Sequence, residues 1–307
     1  MDSNMRIAAV NIDGGIQIES STQPYATMEI YVQDPKSSSS SSSTKTFPLR
    51  LLVDTACSGF VLRPSVVSSY GLRQMSTPVT MTSAGGTTGT TGLTQIDKFW
   101  LTQPTPTAPS PSSSSLASFG PLPAAVQDIG ALPSSLDGII GLSFLTQFSK
   151  VVFDFQKGQL VLNEKLQSSP SNTPTPVADN DDDNEDIVGL ADLDIVSSLG
   201  IYTVDVYFDD DNDRIDNHEN KQRRRLGPVK MLVDTGAANT FLSWKGVEDL
   251  GLSKDSSLIQ RLDSPMGAMG SDNIAMQLTH RLVVRSRLHI GSTHQSKKYK
   301  GLSSSSS

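Results

Sequence analysis

The sequence predicts an all-β protein of two similar lobes with few short helices. Three observations carry that expectation: β-branched runs between turn residues, scarce helical periodicity, and an internal repeat. In the first half the runs fall at 16–18, 28–32, 49–53, 60–62, 79–81 and 99–101, separated by Gly, Pro, Ser and Thr. A second block begins near Ile201 and includes 204–208, 229–233, 240–242 and 281–290. Only 64–70, 144–148 and 244–250 read as helices, each about two turns or less at 3.6 residues per turn.

A chain of 307 residues is long enough for two domains at about 150 residues each. Residues 1–166 read as a first lobe, interrupted by Ser-rich insertions at 37–45 and 103–118. Residues 167–198 read as a linker: Pro, Ser and the acids of 179–186 cannot bury enough apolar surface to offset chain entropy. A second, incomplete lobe follows at 199–302, and 303–307 is a serine tail. Counted as calcium loops, the acid runs fail. A loop starting at Asp179 has Asn184 where an EF-hand needs Gly, and one starting at Asp209 has Arg214.

The net charge of −7, with no basic stripe interleaved with aromatics, disfavours a nucleic-acid partner. A single cysteine, Cys57, excludes an intramolecular disulfide, and no Asn stands in an N-x-Ser/Thr acceptor pattern. Together with an acid at Asp2, where a signal peptide carries its positive end, these features favour an intracellular setting. No segment approaches the roughly 18 apolar residues of a membrane span. His218, His280, His289 and His294 form no ligand cluster, so neither a metal nor a cofactor is expected.

The repeat is the most informative feature. Pro48-Leu49-Arg50-Leu51-Leu52-Val53-Asp54-Thr55-Ala56 superposes without a gap on Pro228-Val229-Lys230-Met231-Leu232-Val233-Asp234-Thr235-Gly236. The register continues through Leu62 and Leu242, Val67 and Val247, to Gly71-Leu72 and Gly251-Leu252. Each copy is an apolar strand ending in Asp-Thr-small. A duplicated unit of this kind places two carboxylates about one pseudo-twofold axis.

These loops resemble those of the aspartic proteases of the pepsin and retropepsin clan. Leu136-Asp137-Gly138-Ile139-Ile140-Gly141-Leu142 is similar to that family's hydrophobic-hydrophobic-Gly element, and 151–162 resembles the hairpin that follows it. The resemblance implies a bilobal acid-protease-like β-barrel architecture and an aspartic endopeptidase whose catalytic residues are Asp54 and Asp234. It implies loop support from Thr55, Ala56, Thr235, Gly236 and Gly141, and a substrate-covering flap at 79–95 that includes Gly85 and Gly86. The flap is retropepsin-like, since no Tyr occurs in it, and its second-lobe counterpart is expected at 265–270. The partner would be a polypeptide substrate, with dimerisation open. Two carboxylates about 3 Å apart share one proton and titrate as a dyad.

The family's pattern is broken in two places. Ala56 stands where the family has Gly, and the second lobe lacks a counterpart of Ile139-Ile140-Gly141 before the terminal serines. A catalytically impaired peptide-binding or dimerisation module is therefore the alternative reading. The expectation from the second departure is that the sequence stops inside a repeated insertion. Cys57 reads as a small buried hydrophobe rather than a reactive thiol.

Overall fold

The computed structural model describes residues 6–11, 16–18, 21–23, 25–36, 45–82, 88–101, 118–154, 159–164, 193–196, 199–210, 224–237, 240–269, 275–283 and 288–290. Strands dominate, and among the described residues helices occur only at Pro64–Tyr70, Leu142–Leu145 and Trp244–Asp249. Buried side chains up to Leu162 form two clusters and those from Val204 form a third. These regions are hereafter the first and second lobes.

Nine strands make the main sheet of the first lobe. Their order is Ser118–Phe119, Phe99–Trp100, Thr27–Gln33, Thr46–Val53, Gly138–Ile140, Phe60–Leu62, Leu122–Val126, Thr88–Ile96 and Gln74–Thr82. Thr27–Gln33 alternates in burial, with Met28, Ile30 and Val32 inside and Glu29 outside, as expected for one buried face. Thr46–Val53 ends in Leu51, Leu52 and Val53, which are 0%, 7% and 0% exposed. The strand is also paired along both edges. Thr27–Gln33 runs antiparallel on one side and Gly138–Ile140 parallel on the other, with Ile139 opposite Leu52 and Ile140 opposite Val53.

Gly138–Ile140 is threaded, because its other edge pairs antiparallel with Phe60–Leu62. Its flanking glycines are dictated by space. A Cβ on Gly138 would sit 2.1 Å from the carbonyl oxygen of Val61, and one on Gly141 would sit 2.1 Å from that of Cys57. A separate three-stranded sheet sets the hairpin Phe148–Asp154/Gln159–Glu164 against Arg6–Asn11, a strand the sequence reading did not anticipate.

In the second lobe, Ile201–Asp210 and Arg224–Leu232 pair antiparallel, with Asp194–Val196 and Leu288–Ile290 added to the first of them. Ile259–Met269 and Ala275–Leu282 form a second hairpin. The pairing of Leu288–Ile290, Ile201–Asp210 and Arg224–Leu232 parallels that of Phe99–Trp100, Thr27–Gln33 and Thr46–Val53. Tyr31 pairs with Trp100 as Tyr207 pairs with His289. Both longer helices are followed by a left-handed glycine, Gly71 at φ 66° and Gly251 at φ 76°. Leu72 then donates to Val67 O at 3.0 Å, and Leu252 to Val247 O at 3.1 Å.

Some expectations are corrected. The helix placed at 144–148 is a single turn at Leu142–Leu145, because Phe148 already belongs to the hairpin strand. Residues 240–242 do not form a strand. The matching Phe60–Leu62 is held between Gly138–Ile140 and Leu122–Val126, and no such neighbours exist in the second lobe among the described residues. The run expected at 281–290 is two strands, Ala275–Leu282 and Leu288–Ile290.

Candidate active site

Asp54 and Asp234 each follow an apolar strand at a two-residue turn, and the two turns meet. Thr55 N donates to Thr235 Oγ1 at 3.1 Å, and Thr235 N donates to Thr55 Oγ1 at 3.1 Å. The hydroxyls cross as well: Thr55 Oγ1 donates to Val233 O and Thr235 Oγ1 to Val53 O, both at 2.8 Å. Four half-buried bonds thus join chain segments about 180 residues apart with equal lengths on the two sides. A Val, Ala or Ile at either threonine position would lack the hydroxyl that both accepts and donates here.

Each aspartate is also held by its own loop. Ala56 N donates to Asp54 Oδ1 at 2.7 Å and Gly236 N to Asp234 Oδ1 at 2.8 Å. One carboxylate oxygen of each residue is thereby fixed. The carboxyl groups face one another closely. A Cβ placed on Gly236 would lie 2.9 Å from Asp54 Cγ and 3.0 Å from its Oδ2, so no side chain larger than hydrogen fits there unshifted. The restriction is one of space, since Gly236 is not among the positive-φ glycines.

The electrostatics favour a retained proton. Burial, and then the charge of Asp234, push the Asp54 carboxyl from 3.8 up to about 7, against the opposing pull of the Ala56 and Cys57 amides. Burial likewise pushes the Cys57 thiol up to about 12, reinforced by Asp54. Its Sγ donates to Gly59 O at 3.5 Å. Such a thiol is not a nucleophile at neutral pH.

The threaded strand supports the Asp54 loop from below. Asp54 N donates to Ile140 O at 3.1 Å, Leu142 N to Cys57 O at 2.8 Å, and Ser143 N to Ser58 O at 3.0 Å. Gly141 sits between these contacts, against the carbonyls of Cys57 and Gly59. Gly85 and Gly86 lie outside the described residues, between Gln74–Thr82 and Thr88–Ile96, which pair as an antiparallel hairpin. The second-lobe hairpin takes in Pro265 and Gly267, while Gly270 lies outside the described residues. No group of three or more potential metal ligands occurs among the described residues, and no described helix is long and apolar enough to cross a membrane.

Residues 44–144 match a family model described as aspartyl protease. Over this stretch the chain is similar to the aspartyl protease family, which supports an aspartic protease of this clan. The matched stretch takes in Asp54, Thr55, Ala56 and Gly141, and the loop of Asp234 lies beyond it. No curated protein matches the chain.

The sequence reading of this aspartyl-protease-like domain overlooked two supports of its threaded strand. Asp137 N donates to Arg50 O, and Arg50 N donates to Asp137 Oδ2, both at 2.8 Å. The side chain of Arg63 binds the carbonyls just before that strand. An acid directly preceding Gly138 was a readable signal for the first of these, whereas Arg63 carried none.

Proposed function

We propose that the chain is an aspartic endopeptidase that hydrolyses peptide bonds with a water activated between Asp54 and Asp234. The observation that carries this reading is the reciprocal Thr55–Thr235 bonding, which sets two Asp loops face to face within one chain. In the reaction one carboxylate of the pair takes a proton from the water as its oxygen attacks the scissile carbonyl. The other, holding the shared proton, donates it to the carbonyl oxygen, giving a neutral tetrahedral diol. Collapse of the diol returns a proton to the leaving amine. The substrate lies extended beside the hairpins, recognised by main-chain bonds with side-chain pockets on alternate positions. A dyad built within one chain needs no second copy.

Unfolded casein, incubated with purified protein from about pH 3 to 8, tests the proposal. Cleavage is expected to persist toward neutrality and to fall as Asp54 loses its proton near pH 7. Asp54→Asn and Asp234→Asn are each expected to lower the rate by about 10²–10⁴-fold, the contribution of a positioned acid or base. Wild-type activity in either variant would rule out the dyad.

Stability offers a separate check. Because Asp54 binds its proton more tightly folded than unfolded, it favours the fold fully below pH 3.8, and that contribution is lost as pH rises to about 7. Relative to Asp54→Asn, the wild-type protein should therefore lose stability between those pH values and run parallel above them.

A further inference from the structure

We propose that Arg63 is a positioning residue for Asp54, acting by clamping the segment that leads into the threaded strand. This inference rests on the proposed chemistry for its kinetic readout and is independent of it for its structural one.

Arg63 occupies the N-cap position of the helix Pro64–Tyr70, with no side-chain cap bond. At the matching place in the second lobe stands Ser243, whose Oγ accepts from Gly246 N at 3.1 Å and caps Trp244–Asp249. A serine cap stabilises a helix relative to a non-capping residue. The first lobe forgoes that contribution, and its arginine does something else.

Its guanidinium is spent on carbonyls. Nε donates to Leu136 O at 2.9 Å, and Nη2 donates to Leu132 O and, at 3.2 Å, to Pro133 O. Nη1 lies 3.6 Å from Asp128 Oδ1, and Arg63 N donates to Asp137 O at 3.0 Å. The side chain is only 17% exposed, whereas Asp128 is 78% exposed, so the exposed ion pair is the minor part of the interaction. The fixed fork of a guanidinium can hold several carbonyls at once, which an ammonium on a flexible stem cannot reproduce.

What is clamped matters for the site. Two residues after Leu136 the chain enters Gly138–Ile140, and the carbonyl of Ile140 receives Asp54 N at 3.1 Å. Gly141 has no slack, because the Cys57 and Gly59 carbonyls lie where its Cβ would be. Slippage of 132–136 would therefore pass along an extended strand into the loop that carries Asp54. In the second lobe no described segment occupies the corresponding place, and position 243 is a simple cap.

Arg63→Ser and Arg63→Lys test the proposal together. Ser restores a helix cap, so a residue that merely supports the helix should tolerate it, with unfolding midpoint and activity unchanged or raised. Under the clamp, Arg63→Ser lowers kcat about tenfold with KM nearly unchanged, since placement of the reacting carboxyl is what suffers. Arg63→Lys recovers only part of that loss. Amide exchange provides the readout that does not need peptidase activity: Asp54 and Leu142 should exchange at least about tenfold faster in Arg63→Ser, with Val66 and Val67 unchanged. If wild-type protein cleaves nothing, the protease reading fails and the exchange result still decides the clamp. Unaltered exchange at Asp54 and Leu142, or full activity in Arg63→Ser, overturns it.

Discussion

The strand that enters Asp54 is paired along both edges, whereas the strand that enters Asp234 is paired along one among the described residues. The consequence is visible in burial. Leu51 and Val53 are fully covered, while the corresponding Met231 and Val233 are only half-buried, and nearby Phe241 is 43% exposed. The Asp54 loop takes support from Ile140, Leu142 and Ser143 within its own lobe as well as from Thr235 across the interface. For the Asp234 loop, Val233 N donates to Tyr202 O at 3.1 Å within its own lobe, and the described bonds that involve a threonine side chain join it to Thr55 and Val53 in the first lobe. Two loops of equal geometry can thus be held by different means, and the second depends on the first.

Removing the space that the threaded strand needs is the harshest way to break this asymmetry. Gly141→Ala would push a methyl group to 2.1 Å from Cys57 O and 2.5 Å from Gly59 O, both backbone atoms with nowhere to go. A loss of ~3 kcal/mol or more in urea unfolding is expected, with loss of any hydrolysis. Gly251→Ala serves as the second-lobe control. There the φ of 76° is unfavourable for alanine but the surrounding space is open, so the cost should be about 1–2 kcal/mol. Equal costs for the two substitutions would show that the threaded strand can shift to admit a side chain.

Hydrogen exchange measures the same difference without mutation. Fewer buried apolar contacts and an unpaired edge make local opening easier, and a tenfold rate ratio corresponds to about 1.4 kcal/mol. Amides of Met231, Leu232 and Val233 should exchange at least about tenfold faster than those of Leu51, Leu52 and Val53. Matched protection would mean that some segment beyond the described residues covers the edge of Arg224–Leu232.

The sequence was legible where a signal is local. Alternation marked Thr27–Gln33, and the apolar run 49–53 marked the end of Thr46–Val53. The short helix expected at 244–250 is found at Trp244–Asp249. The sequence misled where a strand exists only because of its neighbours. Residues 60–62 and 240–242 read alike, and only the first pair up, because Gly138–Ile140 lies beside them. The same logic hid Arg6–Asn11, whose place depends on Gln159–Glu164 far along the chain. At the candidate site, the repeat pointed to the two Asp-Thr loops. The Arg50–Asp137 exchange had only the acid before Gly138 as a signal, and the Arg63 clamp, a contact across tens of residues, had none.

The mildest perturbation concerns the position where the two loops differ in sequence. Gly236 abuts Asp54 so closely that a Cβ would lie 2.9 Å from its Cγ, and the repeat register puts Ala56 in the equivalent place relative to Asp234. Yet the loops hold their own aspartates alike, through 2.7 Å from Ala56 N and 2.8 Å from Gly236 N. The methyl group of Ala56 has therefore not displaced the amide that orients Asp54, and Ala56→Gly tests whether it crowds the partner loop. Ala56→Gly is expected to raise kcat by about two- to fivefold with KM unchanged, as for an improved placement of the carboxyl pair. Gly236→Ala should act in the opposite direction and more strongly, because it adds a group where none is accommodated. A rate unchanged or lowered in Ala56→Gly would show that the alanine is already part of a well-fitted first-lobe loop, and that the crowding at this site is borne by Gly236 alone.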